Sequence, residues 1–222
     1  MPHVLFENDS CLVLDKPAGL PVQGGEGIRV SLDSILSENY SPRPFLVHRL
    51  DKDTSGILLV AKTKEAAAAF SALMAGKGRS VSKQYTGLCS GIPVQKEAVI
   101  RLDLDFPGKG RTIVVKKSET SYRVLSEGIA AGIPFSLLSM ELGTGRMHQI
   151  RRHLAGIGHP LLGDDKHGDF PLNKKLRKEC GLKNLLLHAS RLVIPPFAPF
   201  LPDGIDITSP LPHYFSLITG SK

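Results

Sequence analysis

The sequence has few cysteines, no internal repeat and no long apolar segment. Its three cysteines are an odd number and form no C-x-x-C pair, so neither a disulfide framework nor a zinc site is expected. Glu7 and Asp9 lie where a secretory signal would need an apolar core. No uncharged stretch reaches the roughly 20 residues that span a bilayer, and the stretch 128–140, for example, has 13. These absences predict a cytoplasmic protein that does not cross a membrane.

The composition is that of a folded chain with an excess of positive charge. Of 222 residues, 41% are hydrophobic, and the glycines and prolines follow no period, which excludes disorder and collagen. A chain of this length buries about 70% of its unfolded surface, enough for the core of one domain or of two small ones. Its net charge of +7 favours a polyanionic partner, and composition alone leaves both nucleic acid and an anionic membrane surface open.

The order of apolar and polar residues predicts both strands and helices. Helices are predicted over 31–39, 63–74 and 146–157, with Thr63 as the N-cap of the second. The run 57–61 is apolar throughout and predicts a buried strand. Because strands and helices do not alternate as regular βαβ units, we predict an α+β fold. Further strands are predicted over 11–14, 84–88, 98–102, 111–115, 120–125 and 135–142.

The segment 47–56 is the most polar link between two predicted strands. It contains a histidine, two basic residues, two carboxylates and two hydroxyls. Loops between rigid strands often carry reactive groups, and a carboxylate flanked by Arg49 and Lys52 is favoured in its charged, nucleophilic form. The same residue types also form solvated turns, so a plain turn stays an alternative. A calcium loop is disfavoured because the glycine falls at the wrong offset and no closing glutamate follows.

The predicted helix 146–157 has two distinct faces. At about 100° per residue, its apolar residues share one arc and its polar residues another, so one side would pack on a core and the other would present two guanidiniums and an imidazole. An ordinary amphipathic surface helix is the alternative. The spacing of His148 and His153 does not match that of a zinc-binding pair. The apolar arc contains Met147, Ile150, Leu154 and Ile157, and the polar arc contains His148, Arg151, Arg152 and Ala155.

Two further segments carry residues suited to RNA, each with a plainer alternative. Tyr85, in a predicted strand, can stack on a base or fill the edge of a core. A cluster of basic residues between 174 and 178 either forms a solvated face or contacts phosphates. Its members are Lys174, Lys175, Arg177 and Lys178.

Five motifs in a fixed order resemble the signature of the RluA-type RNA pseudouridine synthases, and together they cover nearly the whole chain. The first is DKPAGL at 15–20, and the second is VHRLD at 47–51, followed by TSG at 54–56 and AK at 61–62. The third is KQY at 83–85. The fourth is GRMHQIRRH at 145–153 with GHP at 158–160 and GD at 163–164, and the fifth is LHA at 187–189.

The resemblance implies an isomerase that needs no metal and no organic cofactor, because the reaction involves no redox change. Asp51 would be the catalytic nucleophile, Tyr85 would stack on the target base, and Arg151 would pair with Asp51. Arg49 would help to displace the target uridine from its stack. The residues expected to bind RNA are Arg49, Arg146, His148, Arg152, Lys174, Lys175, Arg177 and Lys178.

The resemblance also implies an architecture and a partner. We expect a single catalytic domain over 1–222, with a mixed, largely antiparallel central sheet flanked by helices, that acts as a monomer on structured RNA. The short segment before Asp51 leaves no room for an S4-type RNA-binding domain, so the catalytic surface itself would capture RNA. The segments 151–153 and 166–169 resemble the TruC-like, tRNA-modifying branch, whereas the short chain resembles a dual rRNA and tRNA branch. We therefore favour tRNA slightly over ribosomal RNA.

Two other functions stay open at this point. A non-catalytic RNA-binding module on the same scaffold would be expected to lack Asp51 or Tyr85, and both are present. A carboxylate-dependent hydrolase of a glycosidic bond would need a second carboxyl tuned as an acid. Asp53 is close in sequence, but neighbouring side chains on an extended loop tend to point apart.

Overall fold

A computed structural model describes residues 1–76, 81–108, 110 and 112–220. The chain divides into two compact units, each formed by two segments. The first unit comprises Met1–Tyr85 and Leu187–Pro212, and the second comprises Thr86–Leu186 and His213–Lys222. The single domain expected over 1–222 stays a prediction. Across the described ranges, none of the helices combines the length and the apolar character needed to cross a membrane.

The described residues form both strands and helices, in the chain order that follows. The strands are β1 His3–Glu7, β2 Cys11–Lys16, β3 Phe45–Leu46, β4 Ser55–Ala61, β5 Ser82–Ser90, β6 Glu97–Arg101, β7 Leu104–Pro107, β8 Ile113–Lys116, β9 Glu119–Ala130, β10 Ile133–Leu142, β11 Leu187–Ile194 and β12 Ile205–Thr208. The helices are α1 Leu32–Asn39, α2 Lys64–Met74, α3 Gln149–Gly156, α4 Phe170–Cys180 and α5 Ser216–Thr219.

The first unit is built on a mixed set of strands with β4 at its centre. The strands neighbour one another in the order β1, β2, β4 and β11, with β3 also paired to β4 and β12 to β11. The pair β4–β11 is parallel, and the others are antiparallel. Every residue of β4 is buried, as its unbroken apolar run predicted. Phe70 of α2 packs with Leu59 and Leu192 in the core of this unit.

Both helices of the first unit begin at the polar residues that the sequence indicates. The Thr63 hydroxyl accepts a hydrogen bond from the Ala66 amide at 3.1 Å, which confirms Thr63 as the N-cap of α2. The Ser31 hydroxyl accepts from the Ser34 amide at 3.2 Å and caps α1 in the same way. These bonds satisfy amide donors that the first turn of a helix leaves unpaired.

The second unit is also α+β. Its strands neighbour one another in the order β5, β10, β9 and β6, and the Thr86–Ser90 part of β5 belongs to it. The pairs β10–β9 and β9–β6 are antiparallel, and β7 and β8 form a separate antiparallel pair. Leu176 of α4 is buried with Leu88 and Phe135 in the core of this unit. The α+β class and the mixed, largely antiparallel pairing are thus confirmed.

The predicted helix 146–157 is shorter than expected, because α3 begins only at Gln149. The buried Gln149 side chain accepts hydrogen bonds from the Thr144 hydroxyl and the Arg146 amide, and it donates to the Glu119 carbonyl oxygen. These bonds hold the preceding residues in a turn. The assignment of faces was also partly wrong. Met147 is 55% exposed and not part of a core, whereas Arg151, placed on the polar arc, is only 3% exposed.

Candidate active site

Asp51 lies in the loop that leads into β4. The carbonyl oxygen of Asp51 accepts a hydrogen bond from the Thr54 amide at 3.2 Å, which closes a turn over 51–54. Leu50 before the turn and Ser55 after it are buried, whereas Asp51 itself is half-buried. The flanking Arg49 and Lys52 are exposed. A buried strand therefore supports the turn on which the Asp51 carboxylate is mounted.

A buried lysine fastens this turn to the DKPAGL motif. Lys16, at the end of β2, is fully buried. Its Nζ donates to the carbonyl oxygens of Pro17 and Leu20, each at 2.9 Å, and of Lys52 at 3.0 Å. The Gly19 amide donates to the same Lys52 oxygen at 2.9 Å. Two donors from this motif thus bond the carbonyl group of Lys52, the residue directly after Asp51.

The pKa of Lys16 is unusually low for a lysine. Burial lowers the pKa of Lys16 to about 8, although the carboxylates of Asp53 and Asp51 oppose the shift. Its ammonium is therefore protonated at neutral pH and sits within the electrostatic range of both carboxylates. Sequence reasoning missed this role, because DKPAGL reads as a turn and gives no sign that its lysine is buried.

Tyr85 lies in the same unit as Asp51, in β5, and is buried. Burial raises the pKa of Tyr85, and the negative charge of Asp51 raises it further. The phenol is therefore neutral at physiological pH, and it interacts electrostatically with the Asp51 carboxylate. The structure thus brings these two predicted catalytic residues into one electrostatic environment. Burial also fits the plainer interpretation of Tyr85 as the edge of a core.

Two neighbours of this site have fixed structural partners. The Lys83 ammonium donates to the Met74 carbonyl oxygen at 3.1 Å, at the end of α2. The His48 Nε2 accepts a hydrogen bond from the Leu59 amide at 2.9 Å. Burial, assisted by the positive charge of Lys83, lowers the pKa of His48 to about 3. His48 is therefore neutral, which the accepting nitrogen requires.

Strand β11 supports the loop from behind, through the LHA motif. The Ser55 hydroxyl and His188 Nδ1 are 2.9 Å apart and both side chains are buried. One residue on, Gly56 has φ +106°, and a Cβ there would overlap the carbonyl oxygen of Ala189. Only glycine tolerates this combination of backbone angle and close approach. The glycine of TSG therefore lets β11 pack directly against the strand that follows Asp51.

Arg151 lies in the second unit, where its partner is a carboxylate that sequence reasoning did not assign. Its guanidinium donates from Nε and Nη2 to the two oxygens of Asp164, at 2.8 and 2.6 Å. Burial alone would raise the pKa of Asp164, but the Arg151 bonds and the amides of Lys166 and His167 outweigh it and lower the pKa. The expected pairing of Arg151 with Asp51 stays a prediction.

The residues expected to bind RNA differ in how far their side chains are already engaged. Arg146 is exposed, and His148 is half-exposed with its Nδ1 2.9 Å from His167 Nε2. Arg152 bonds the Asp105 carboxylate and carbonyl oxygen and lies over the Phe106 ring, 5.2 Å from its centroid. That guanidinium therefore already has partners in β7. The basic residues on α4 are all exposed: Lys174, Lys175, Arg177 and Lys178.

Within the described part of the chain, no group of three or more His, Cys, Asp or Glu side chains is arranged to hold a metal ion. The expectation that the reaction needs neither a metal nor an organic cofactor stays a prediction.

Comparisons with known proteins identify the family. The family model described as RNA pseudouridylate synthase matches residues 10–156. The ribosomal large subunit pseudouridine synthase C of Haemophilus ducreyi is 36% identical over 97% of this chain, which covers 68% of that protein. The synthase D of Nitrosomonas europaea is 39% identical over 74% of this chain, and the match spans about half (49%) of that protein.

Solved structures give the same result for the fold. Human RNA pseudouridylate synthase domain containing 1 superposes with a TM-score of 0.77 and 26% sequence identity. The superposition covers 98% of this chain and 88% of the human chain. The expected family, fold and enzyme class, an isomerase that converts uridine in RNA to pseudouridine, are therefore confirmed at the level of the family. The chain belongs to the RNA pseudouridylate synthase family.

Proposed function

We propose that this chain isomerises a uridine in structured RNA to pseudouridine, with Asp51 as the catalytic carboxylate. The observation that carries the proposal is the setting of Asp51. Its turn is fixed on one side by the Lys16 ammonium and on the other by the buried start of β4. A carboxylate that must act on a nucleotide needs such fixed placement and a charged form at neutral pH.

The reaction moves one glycosidic bond and changes no oxidation state overall. The bond from N1 of uracil to C1′ breaks, a bond from C5 to C1′ forms, C5 loses its proton and N1 gains one. Asp51 assists the detachment of uracil, and the neutral ring of Tyr85 offers a surface on which the base can stack. Because glycosidic chemistry cannot take place inside a base stack, the target nucleotide must be turned out, and Arg49 is suited to fill the space.

The names of the relatives favour large-subunit ribosomal RNA as the substrate. The curated relatives described above are ribosomal large subunit synthases, whereas the segments 151–153 and 166–169 favour tRNA. We give ribosomal RNA precedence, because these relatives match most of the chain and the two segments only seven residues. The exposed basic residues of α4 supply the positive charge that binding to phosphates requires.

The decisive experiment compares Asp51→Asn with its matched control Asp53→Asn. Carbodiimide-dependent reverse transcription maps pseudouridine in ribosomal RNA and tRNA incubated with each protein. Asp51→Asn should lower turnover by at least about 1,000-fold and leave RNA affinity within about twofold, while Asp53→Asn stays active. Normal turnover in Asp51→Asn would show that another residue acts as the nucleophile. RNA binding with no uridine changed by the unmodified chain would favour the non-catalytic binding module, and released uracil would favour the hydrolase.

A further inference from the structure

His148 and His167 form a hydrogen-bonded pair of imidazoles in the second unit. Their Nδ1 and Nε2 atoms are 2.9 Å apart, and the rings meet edge to face with centroids 5.2 Å apart. Both side chains are half-exposed, so the pair is accessible to a ligand. No part of the mechanism proposed above uses His167.

The backbone at His148 is held in an uncommon conformation. His148 precedes the first residue of α3 with φ +53°, and its side chain makes no capping bond to the helix. Left-handed angles in residues other than glycine cost free energy and occur preferentially at functional sites. The loop on the other side is fixed as well, because Asp164 Oδ1 accepts the amides of Lys166 and His167, each at 2.9 Å. Both rings are thus mounted on fixed backbone.

The charges around the pair favour an anion. Arg146 and Lys166 are exposed cations that lie two residues and one residue away in sequence. The nearest carboxylate, Asp164, is buried and already bonded to Arg151 through both oxygens. Asp165 is exposed, with one oxygen 3.5 Å from the same guanidinium. The positive charge of this surface is therefore only partly offset by carboxylates.

We propose that His148 and His167 form a binding subsite for an RNA phosphate. When the phosphate binds, the imidazole pair takes up a proton from the solvent. The proposal rests on the proposed function in so far as the ligand is RNA. A bond between two imidazoles needs one nitrogen to donate and the other to accept, so the bonded pair carries at most one positive charge. A phosphate adds negative charge beside the rings and favours the protonated form.

The lowered pKa of His167 fits proton uptake by this ring. Burial is the main cause of the lowering, the negative charge of Asp164 opposes it, and nearby positive charges, chiefly Arg151, lower the pKa further. Without a ligand the His167 ring is therefore neutral at physiological pH. A bound phosphate adds negative charge beside the ring, so protonation and binding should each strengthen the other.

The first test uses inorganic phosphate as the probe and does not depend on catalysis. NMR follows the Cε1–Hε1 signals of the histidines through a pH titration, with phosphate or with chloride at equal ionic strength. Phosphate should raise the apparent pKa of both His148 and His167 by at least about 0.5 and leave that of the exposed His213 unchanged. Equal titration curves in the two salts would overturn the proposal.

The second test measures RNA affinity by fluorescence anisotropy between pH 8 and pH 6, with a labelled ribosomal RNA transcript. The uptake of one proton strengthens binding by up to about tenfold for each unit by which the pH falls. Between pH 8 and pH 6, the RNA affinity of His148→Gln and of His167→Gln should therefore increase by a factor at least about threefold smaller than that of the wild type. His213→Gln is the matched control and should behave as the wild type. The proton link is the coupling between protonation of the pair and RNA binding. It would be overturned if both variants kept the pH dependence of the wild type, or if their RNA binding were weakened equally at every pH.

The two proposals fail in different ways. Loss of the proton link while uridines are still isomerised would reject the subsite and leave the proposed function in place. An intact link with every uridine unchanged would reject the proposed function and leave an RNA-phosphate subsite.

Discussion

Lys16 in the first unit and Arg151 in the second are both buried cations, but their partners differ. Lys16 donates to three carbonyl oxygens, and the two carboxylates that influence it, Asp53 and Asp51, act from a distance. Arg151 bonds both oxygens of Asp164. The Lys16 ammonium is thus held by neutral carbonyl groups beside the Asp51 turn, whereas the Arg151 guanidinium is held by a carboxylate. Buried cations of similar exposure can therefore have neutral or charged partners, and the expected pairing of Arg151 with Asp51 stays a prediction.

The largest effect on stability is expected in the second unit, from Asp164→Ala. Removing the carboxylate leaves the Arg151 guanidinium buried without its main counter-charge, which costs about 3–5 kcal/mol in the free energy of unfolding. Asp165→Ala is the matched control, because Asp165 is exposed and only 3.5 Å from the same guanidinium, and it should cost less than about 1 kcal/mol. Urea denaturation measures both. Equal costs would mean that the buried pair does not dominate.

Lys16 and the Asp164 partner of Arg151 predict a rise of stability with pH in two separate windows. The pKa of Lys16 is about 8 in the folded state and 10.5 as its ordinary value, so the unfolded chain binds more protons between these pH values. The Lys16 contribution to stability therefore rises with pH through this window, by about 3 kcal/mol in total. The lowered pKa of Asp164 acts in the same direction at acid pH, because its stabilisation is lost as pH falls below 3.8.

Lys16→Met tests the alkaline window, with Lys52→Met as the same change at an exposed lysine. Urea denaturation between pH 7.5 and pH 10.5 should show a smaller rise in stability with pH in Lys16→Met, by about 3 kcal/mol, than in the other two proteins. A wild-type slope in Lys16→Met would show that the ammonium is not the group that titrates. At neutral pH the same variant should also slow turnover by about tenfold or more, because the turn that carries Asp51 loses a bond to Lys52.

Strands and helices that are determined by residues within their own segments could be predicted from the sequence. The apolar run of β4 and the capping residue of α2 lie within the segments that they define. The late start of α3 could not be predicted from the sequence. Gln149 bonds Glu119 of β9, thirty residues away, and no pattern within 146–157 contains that contact.

The site was predictable only as far as motifs name its residues. Asp51, Tyr85 and Arg151 were identified from the resemblance, but the partners that hold them were not. A helical wheel places Arg151 on a polar face, and only the fold brings the buried Asp164 to it. His167 is nineteen residues from His148, so their bond is likewise invisible to any periodicity. Charge and burial depend on tertiary contacts, which spacing in the sequence does not report.

Replacing exposed cations should have the smallest effect on stability, in contrast to changes at the buried Lys16 and Arg151. Four basic residues on α4 are solvated, so changing them together to Gln should alter the free energy of unfolding by less than about 1 kcal/mol, since Gln and the basic residues have similar helix propensities. RNA binding should respond instead. Removing one cation that neutralises an RNA phosphate should reduce the slope of log Kd against log salt by about 0.9, so the slope should flatten by up to about 3.6 when all four are changed. The residues are Lys174, Lys175, Arg177 and Lys178.

A charge-matched control separates position from total charge. Four exposed basic residues elsewhere are already paired with carboxylates, and changing them to Gln removes the same total charge from the chain. They are Lys96, Arg101, Arg123 and Arg191. If α4 binds phosphates directly, its variant should flatten the salt dependence while the control keeps most of it, because the released counterions belong to individual phosphates. Equal flattening in both would mean that net charge attracts the RNA and that α4 is only a solvated face.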